Sequence, residues 1–186
     1  MKTSKRDEII QTAYAHFYKE GFHAAGVDRV LEGTGISKRT LYKYFGSKEE
    51  LIEATLDHYR HVSSDSIYQV IEKKTSPEDK ALAIFDWLHQ VLQSGHTMGC
   101  YAMKARLEYN DRNSAIEKKC DDYFALTEEL LYPFLKEAGC SEAKKLSRQL
   151  AILFRGTILT AQASKDPAVV LSAKAAAKVL LKNAMT

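Results

Sequence analysis

The sequence has little proline and glycine and no long apolar run. It contains three prolines and nine glycines in 186 residues, so few positions are obliged to interrupt a helix. No apolar segment approaches the ~20 residues that a membrane span needs. The N-terminal stretch is charged and lacks the apolar centre of a secretory signal. We therefore expect no membrane partner and, by default, a cytoplasmic location.

Cysteine and the usual catalytic motifs are also scarce. The three cysteines are Cys100, Cys120 and Cys140, and an odd number in a cytosolic chain predicts no disulfide framework. No Cys-x-x-Cys pattern is present, and the pair His58 and His61 does not by itself make a metal site. There is no nucleophile elbow and no glycine loop that would cradle a phosphate. We expect neither an enzyme nor a bound metal or cofactor.

The amino-acid composition is typical of a globular protein, and the N-terminal part of the chain is basic. Apolar residues make up 45% and charged residues 27% of the sequence, which argues against disorder. Residues 1–48 hold nine Lys and Arg against five Asp and Glu, whereas residues 49–186 hold eighteen against nineteen. A basic segment suits a phosphate-rich partner. Random variation would also produce such a difference, so charge alone does not identify the partner.

The spacing of apolar residues is helical almost throughout, and no useful length of strand-like alternation occurs. Caps, glycines and Ser76-Pro77 mark the ends of the helices, and Asp166-Pro167 is expected to cap the last one. The pattern predicts an all-α fold of about nine helices. Apart from a short helix after Ser37, their expected ranges are 4–20, 27–34, 48–72, 77–93, 100–109, 113–138, 142–164 and 167 to near the C-terminus.

The short helix after Ser37 is the most informative segment. Ser37 can cap it by accepting a hydrogen bond from a free backbone N–H. Leu41 and Phe45 are four residues apart and share the face expected to point inward. Arg39 and Lys43 lie on the opposite face, which carries hydrogen-bond donors and flat rings but no aliphatic side chain. Such a face suits a helix that lies in a DNA groove.

Residues 4–51 resemble the DNA-binding domain of the TetR family of transcriptional regulators. That family's signature is a Gly-aliphatic-Ser turn, a Leu-Tyr-x-x-Phe helix and a Ser-Lys-x-x-Leu helix start, which here begins with a capping box from Ser47 to Glu50. The matching residues are Gly35, Ile36, Ser37, Leu41, Tyr42, Phe45, Ser47, Lys48 and Leu51. A weaker resemblance further on rests on Gly99-Cys100 and Glu108, which open and close the sixth helix.

The resemblance implies two domains. Residues 1–47 would form a three-helix helix-turn-helix domain for DNA, and a long helix from Lys48 would join it to a helical ligand-binding and dimerisation domain, residues 48–186. A dimer would place two short helices in successive major grooves, ~34–36 Å apart, on an inverted-repeat operator. The family's known behaviour implies a repressor that a small-molecule effector releases from its DNA.

The composition of the short helix and the resemblance together indicate which residues contact DNA, and for each of them the alternative is a solvated surface residue. The family's Thr or Ser at the start of the second helix is replaced by Ala25-Gly26, so that phosphate contact is in doubt, and Arg29 is a candidate to replace it. The candidates for bases or phosphates are Lys38, Arg39, Thr40, Tyr42, Lys43, Tyr44 and Lys48.

The resemblance further implies an effector site inside the second domain, roughly between the fourth and seventh helices. The candidates for it are side chains with a polar tip and an inward position. For each of them the alternative is an ordinary core or surface residue. A further hypothesis for Cys100 is that it senses oxidants or electrophiles, because a helix N-terminus makes a thiol more reactive. The alternative is that Cys100 is a small buried apolar residue. The candidates are His58, Tyr59, Trp87, Cys100, Tyr101, Arg106, Tyr109 and Tyr123.

The last two helices carry small and apolar residues at helical spacing. Such a face allows close helix packing, either against an identical partner or within the monomer, and the resemblance favours a four-helix homodimer interface. The residues predicted for it are Leu150, Phe154, Ile158, Ala173, Ala177 and Leu180. Two other classes are the alternatives: an enzyme, for which the sequence offers no catalytic motif, and a helical interaction module that uses the same motif without DNA. Loss of duplex affinity on removal of the Arg39 and Lys43 charges would separate the interaction module from a DNA-binding regulator.

Overall fold

The computed structural model describes residues 4–95 and 98–185, and within these ranges the chain is helical without a strand. This confirms the predicted all-α fold. The helices are α1 (Lys5–Glu20), α2 (Val27–Leu31), α3 (Lys38–Tyr44), α4 (Lys48–Ile71), α5 (Pro77–Gln93), α6 (Tyr101–Glu108), α7 (Ser114–Glu137), α8 (Ala143–Ser164) and α9 (Val169–Ala184). None of these helices is long and apolar enough to cross a membrane.

Serine hydroxyls cap four of the helices, and the sequence predicted three of these caps, at Ser37, Ser47 and Ser76. The hydroxyl oxygens of Ser4, Ser37, Ser47 and Ser76 each accept a hydrogen bond of 3.1 Å from the backbone N–H three residues later. These bonds satisfy donors that have no partner within the helix. The starts of α1, α3, α4 and α5 are therefore determined by local sequence.

Two helices differ from the prediction at one end. α2 ends at Leu31 rather than near residue 34, because Gly33 and Gly35 adopt φ angles of 74° and 68°, which helical residues do not adopt. α9 begins two residues after Pro167 and has no side-chain cap. The Asp166 carboxylate instead accepts from the Ala168 N–H at 2.8 Å, in the turn before the helix.

The chain forms two compact units. The first contains residues 4–62 together with 101–122, and the second contains residues 63–95, 98–100 and 123–185. α6 therefore packs with the N-terminal helices, although it lies in the part of the sequence expected to bind a ligand. The functional boundary between residues 47 and 48 remains a prediction, because packing and function need not divide a chain at the same residue.

The second unit is built around α5, α8 and α9, with α9 packed against both of the others. Four residues predicted for the dimer surface lie inside this core: Leu150, Phe154, Ala173 and Ala177 are each at most 9% exposed. Ile158 and Leu180 are half-buried against it. The four buried side chains are not available to a partner, so the prediction is wrong for them.

Other apolar residues of α8 and α9 are exposed instead. Ile152 and Leu159 on α8 are 59% and 46% exposed, and Leu171 and Val179 on α9 are 54% and 59% exposed. We call these four the α8–α9 apolar face. Both helices carry apolar residues on two sides, and periodicity alone does not show which side the chain's own core covers.

Asp86 of α5 links α9 to the loop between α4 and α5 in the second unit. Its carboxylate forms ion pairs with Lys174 of α9 and with Lys74, whose Nζ lies 2.8 Å from Oδ2. Burial opposes ionisation of Asp86, but the two ammonium groups outweigh it and hold the pKa of the carboxyl below its ordinary value. Ionisation therefore favours the folded state.

We expect this stabilisation to be complete above the unfolded pKa of about 3.9 and to be lost as pH falls through the lower folded pKa. Urea unfolding of the wild type and of Asp86→Asn, at pH 6 and at steps down to pH 2.5, measures this. The difference in unfolding free energy between the two proteins should shrink as the pH falls. Asp122→Asn is the control, since Asp122 is exposed. A difference that stays constant with pH would contradict the argument.

Candidate nucleic-acid interface and ligand cavity

The outer face of α3 is a solvent-exposed surface of basic and aromatic side chains. Leu41 and Phe45 are 0% and 3% exposed and attach the helix to the first unit, as predicted. The opposite face leaves Tyr42 and Tyr44 47% and 41% exposed. Lys38, Arg39 and Lys43 are exposed beside them. The structure therefore brings five of the seven predicted DNA-contacting residues together on one short exposed helix.

The three basic residues of α3 differ in their partners. Lys38 Nζ lies 2.8 Å from the Asp28 carboxylate of α2, and that hydrogen-bonded ion pair raises the pKa of Lys38 above its ordinary value. For Arg39 and Lys43 the structure shows no ion pair within residues 4–95 and 98–185. Arg39 and Lys43 are thus the charges most readily offered to an anionic partner.

Thr40 and Lys48 are less exposed than the other predicted contacts. The Thr40 hydroxyl lies 2.9 Å from the Ser37 hydroxyl and belongs to the cap of α3. Lys48 Nζ lies 5.8 Å from the centre of the Phe17 ring. Burial lowers the pKa of Lys48, and the nearby Glu49 carboxylate offsets this only in part. Lys48 is therefore held against the core at the start of α4.

Sequence reasoning missed Arg6 as a candidate contact. Its guanidinium lies over the Phe45 ring, 5.1 Å from the ring centre, and so adds an exposed positive charge at the C-terminal end of α3. The adjacent basic residues Lys5 and Arg6 at the start of α1 were the available signal. Arg29, in contrast, is engaged in ion pairs with Glu20 and Glu32.

The turn between α1 and α2 is held by α6. The Glu108 carboxylate accepts hydrogen bonds from the backbone N–H groups of Phe22, at 3.1 Å, and His23, at 2.8 Å. The His23 ring stacks on Tyr109 with 4.7 Å between ring centres, and its Nε2 lies 2.9 Å from the Glu108 carbonyl oxygen. Sequence reasoning noted Glu108 but not these contacts.

Three tyrosines predicted to bind a ligand are core residues of the first unit. Tyr59, Tyr101 and Tyr109 are at most 9% exposed. Tyr101 is fully buried, packs within 5.4 Å of four other aromatic rings and donates to the Thr55 hydroxyl at 2.7 Å. Burial raises the pKa of Tyr109 to about 12 and raises the pKa of Tyr101 further. Both hydroxyls therefore stay protonated at neutral pH.

The other ligand candidates are spread over both units. Arg106 is engaged with Glu117 and Asp121, at 3.1 and 3.3 Å. Cys100 is 8% exposed and directly precedes α6. The Trp87 indole N–H donates to the Ser66 hydroxyl at 2.8 Å. The structure therefore does not assemble the predicted set into one site.

A cavity of ≈ 210 Å³ lies within the second unit, between α4, α5, α7 and α8. Of the predicted candidates, Tyr123 lines it, and Trp87 packs behind its wall with 6.2 Å between the Trp87 and Phe154 ring centres. The lining residues are Ser63, Ser64, Ile67, Tyr68, Ile84, Tyr123, Leu126, Thr127, Glu129, Leu130, Pro133, Phe134 and Phe154.

The cavity suits a small apolar or aromatic molecule that forms a few hydrogen bonds. Its walls are aliphatic and aromatic, with hydroxyl groups and a single carboxylate among them. Its volume lies below the ~300–1,000 Å³ typical of drug-sized ligands. In the part of the chain that the structure describes, no three His, Cys, Asp or Glu side chains are grouped so that they could hold a metal ion.

Comparison with known proteins identifies both parts of the chain. Residues 9–55 match the family model of bacterial regulatory proteins of the tetR family. Residues 77–176 match the model of the C-terminal domain of LmrA/YxaF-like transcriptional regulators. The second match covers more than half of the chain.

Individual relatives are similar at low identity. The transcriptional regulator LmrA of Bacillus subtilis is 24% identical over 186 aligned residues, 96% of this chain and 97% of LmrA. The transcriptional repressor KstR2 of Mycolicibacterium smegmatis is 29% identical over 50% of this chain, and the match spans only 45% of KstR2. The crystal structure of a TetR-family regulator from Streptomyces coelicolor shares the fold with a TM-score of 0.89, at 22% identity over 97% of this chain and 90% of that one.

Proposed function

Since this chain belongs to the TetR family of bacterial transcriptional regulators, we propose that it binds an inverted-repeat operator as a homodimer. In this proposal it represses transcription in the cytoplasm and is released when a small molecule occupies the cavity of the second unit. Enzymes are not part of this family. The observation that carries the proposal is the exposed basic face of α3, on which Arg39 and Lys43 have no ion-pair partner in the described part of the chain.

The proposed DNA contacts follow from the geometry of α3. Arg39 can hold guanine O6 and N7 with two parallel hydrogen bonds, and Lys43 lies one turn further along the same face. Tyr42 and Tyr44 can donate their hydroxyl groups to the phosphate backbone of the DNA, or contact a thymine methyl group with their rings. Arg6 adds a charge beside Phe45, where it would reach a phosphate.

The proposed dimer forms through the α8–α9 apolar face. Large exposed apolar patches mark sites of protein contact, and a two-fold dimer would bury the same residues on both copies. In a dimer on an inverted repeat, each copy would present its α3 to one half-site.

Leu159→Glu combined with Val179→Glu should make the protein monomeric at micromolar concentration. Two buried carboxylates at such an interface would be desolvated without a partner. Analytical ultracentrifugation measures the change, and operator affinity should fall with it. Leu107→Glu is the matched control, because Leu107 is 71% exposed on α6 and lies outside the proposed interface. A double variant that stays dimeric would place the interface elsewhere.

The proposed effector site is the 210 Å³ cavity. Ligand binding would favour one of two arrangements of the dimer, and α4 is the proposed lever because it carries both Lys48, beside α3, and the cavity residues from Ser63 to Tyr68. The effector would need no charge, since most polar groups of the wall are hydroxyls.

The test begins with selection of duplexes from a random pool at two salt concentrations. An enriched inverted repeat, bound less tightly as salt rises, supports a dimeric operator-binding regulator. Small aromatic compounds can then be screened for release of that duplex, with Phe154→Trp as a variant that fills the cavity. If no duplex is enriched and binding is independent of salt, the chain is an interaction module that uses the same fold without DNA.

A further inference from the structure

We propose that Glu108 and Lys104 of α6 are positioning residues that hold the α1–α2 turn, and through it α3, in the arrangement that binds DNA. The inference rests on the proposed operator binding. It assigns a role to two residues that do not touch the DNA themselves.

Glu108 supplies the hydrogen-bond partners that the turn lacks. α1 ends at Glu20, so the N–H groups of Phe22 and His23 have no acceptor within a helix. Each of the two carboxylate oxygens of Glu108 takes one of them, Oε1 from Phe22 at 3.1 Å and Oε2 from His23 at 2.8 Å. A carboxylate that accepts from two neighbouring amides fixes the direction of both.

Lys104 lies one helical turn before Glu108 and binds the end of α1. Its ammonium group donates to the Tyr18 carbonyl oxygen at 2.8 Å and lies 5.3 Å from the centre of the Tyr18 ring. In a continued helix that carbonyl would accept from the N–H of Phe22, which here is donated to Glu108 instead. Lys104 therefore supplies the donor for the Tyr18 carbonyl, and Glu108 supplies the acceptor for the Phe22 N–H, in place of the helical hydrogen bond that would join these two groups.

Gly21 makes this close approach possible. It adopts a φ of 94°, and a Cβ atom at this position would lie 3.1 Å from Glu108 Oε1. A side chain would therefore be strained by the backbone conformation and would also crowd the carboxylate. The turn and the end of α6 fit each other at this contact.

The α1–α2 turn is linked to α3 by backbone hydrogen bonds and by the packing of α2. The Ala25 N–H donates to the Gly21 carbonyl at 3.2 Å, and the Val30 N–H donates to the Gly26 carbonyl at 3.1 Å. α2 in turn packs on both α1 and α3. A shift of the turn would therefore move α2 and with it the exposed face of α3.

Because residues 98–100 lead directly into α6, the contact between α6 and the α1–α2 turn has a regulatory consequence. The chain enters α6 directly from residues 98–100, where the Met98 carbonyl accepts from the Gln162 amide of α8 at 3.3 Å. A rearrangement of that segment would move the start of α6 and, because a helix is stiff, Lys104 and Glu108 with it. Release of the turn would then lower the population of the DNA-binding arrangement.

The test compares Glu108→Ala with Glu117→Ala. Glu117 is the matched control because it also accepts from a backbone N–H, that of Asp111, and pairs with a basic residue, Arg106, within the same unit, but it does not contact the α1–α2 turn. Affinity is measured for the duplex selected with the wild-type protein, well below each variant's melting temperature. Amide exchange of Phe22 and His23 is measured on the DNA-free protein.

We expect Glu108→Ala to bind the duplex at least tenfold more weakly and to lose exchange protection at Phe22 and His23. Glu108→Gln keeps one acceptor oxygen and should recover part of the affinity. Lys104→Met should weaken binding in the same direction. Glu117→Ala should lower the melting temperature while its affinity for DNA stays within twofold of the wild type.

Wild-type affinity in folded Glu108→Ala would overturn the proposal, and so would equal weakening in Glu117→Ala. Retained exchange protection at Phe22 and His23 in Glu108→Ala would overturn it as well. If the wild-type protein selects no duplex, the proposed operator binding fails and the positioning role fails with it. If the wild type does select a duplex, operator binding is supported, and the affinity of Glu108→Ala for that duplex tests the positioning role separately.

Discussion

Replacement of both Arg39 and Lys43 by alanine should weaken operator binding about a hundredfold or more. A bidentate contact from Arg to guanine contributes ~1–3 kcal/mol of discrimination, and loss of a phosphate contact weakens binding to every sequence and lowers its dependence on salt. Both side chains are exposed on α3, so their removal should leave the fold intact.

Single variants distinguish the DNA groups that Arg39 and Lys43 contact. If Lys43 binds a phosphate, Lys43→Ala should reduce the slope of log K against log salt by about one. If Arg39 reads a base, Arg39→Ala should relax the preference at one position of each half-site. Fluorescence anisotropy titrations at several salt concentrations measure both effects.

The matched control for the double variant is Lys136→Ala with Lys144→Ala. Both lysines are exposed on the second unit, and their removal changes the net charge by the same amount. If this control weakens binding as much as the α3 variant does, overall charge rather than α3 determines the affinity. An α3 double variant with wild-type affinity would exclude the proposed interface.

Tyr101→Ala should lower the free energy of unfolding by ~3–5 kcal/mol, as the loss of a large buried aromatic side chain typically does. Tyr101 is 0% exposed and packs against rings from α1 and α4, with centre distances of 4.8 Å to Tyr14 and 5.4 Å to Tyr59. The variant would leave a cavity at the centre of the first unit. Such a loss is a large fraction of the stability of a domain.

Urea unfolding compares this variant with two others. Tyr101→Phe keeps the ring and removes only the hydrogen bond to Thr55, so it should cost ~0.5–1.5 kcal/mol. Tyr132→Ala is the surface control, since Tyr132 is 41% exposed, and should stay within about 0.5 kcal/mol of the wild type. A stable Tyr101→Ala protein that no longer responds to an effector would contradict the core assignment and restore the predicted ligand role.

The ligand candidates show why sequence alone did not locate the cavity. A tyrosine on an inward face can fill a core or line a cavity, and its position in the sequence is the same in both cases. Tyr101 is enclosed by rings from α1 and α4, whereas Tyr123 faces open space between four helices. Which of the two occurs depends on side chains contributed by other helices, so periodicity did not distinguish them.

The DNA-binding face was predictable to a greater extent because its determinants are local. The cap at Ser37 and the inward pair Leu41 and Phe45 orient α3, and they lie within nine residues of one another. The individual roles were not predictable. Lys38 is paired with Asp28, Lys48 is held against Phe17, and Arg6 reaches α3 from a different helix.

By itself the sequence determined the helical fold, the starts of α1, α3, α4 and α5 and the inward and outward faces of α3, because caps and helical periodicity act over at most a few residues. Only the tertiary structure decided that α6 packs with the N-terminal helices, that Glu108 holds the turn after α1, and which apolar side of α8 and α9 is left exposed. Each of these depends on contacts between residues far apart in the chain, as between Glu108 and Phe22, and such contacts leave no local pattern in the sequence.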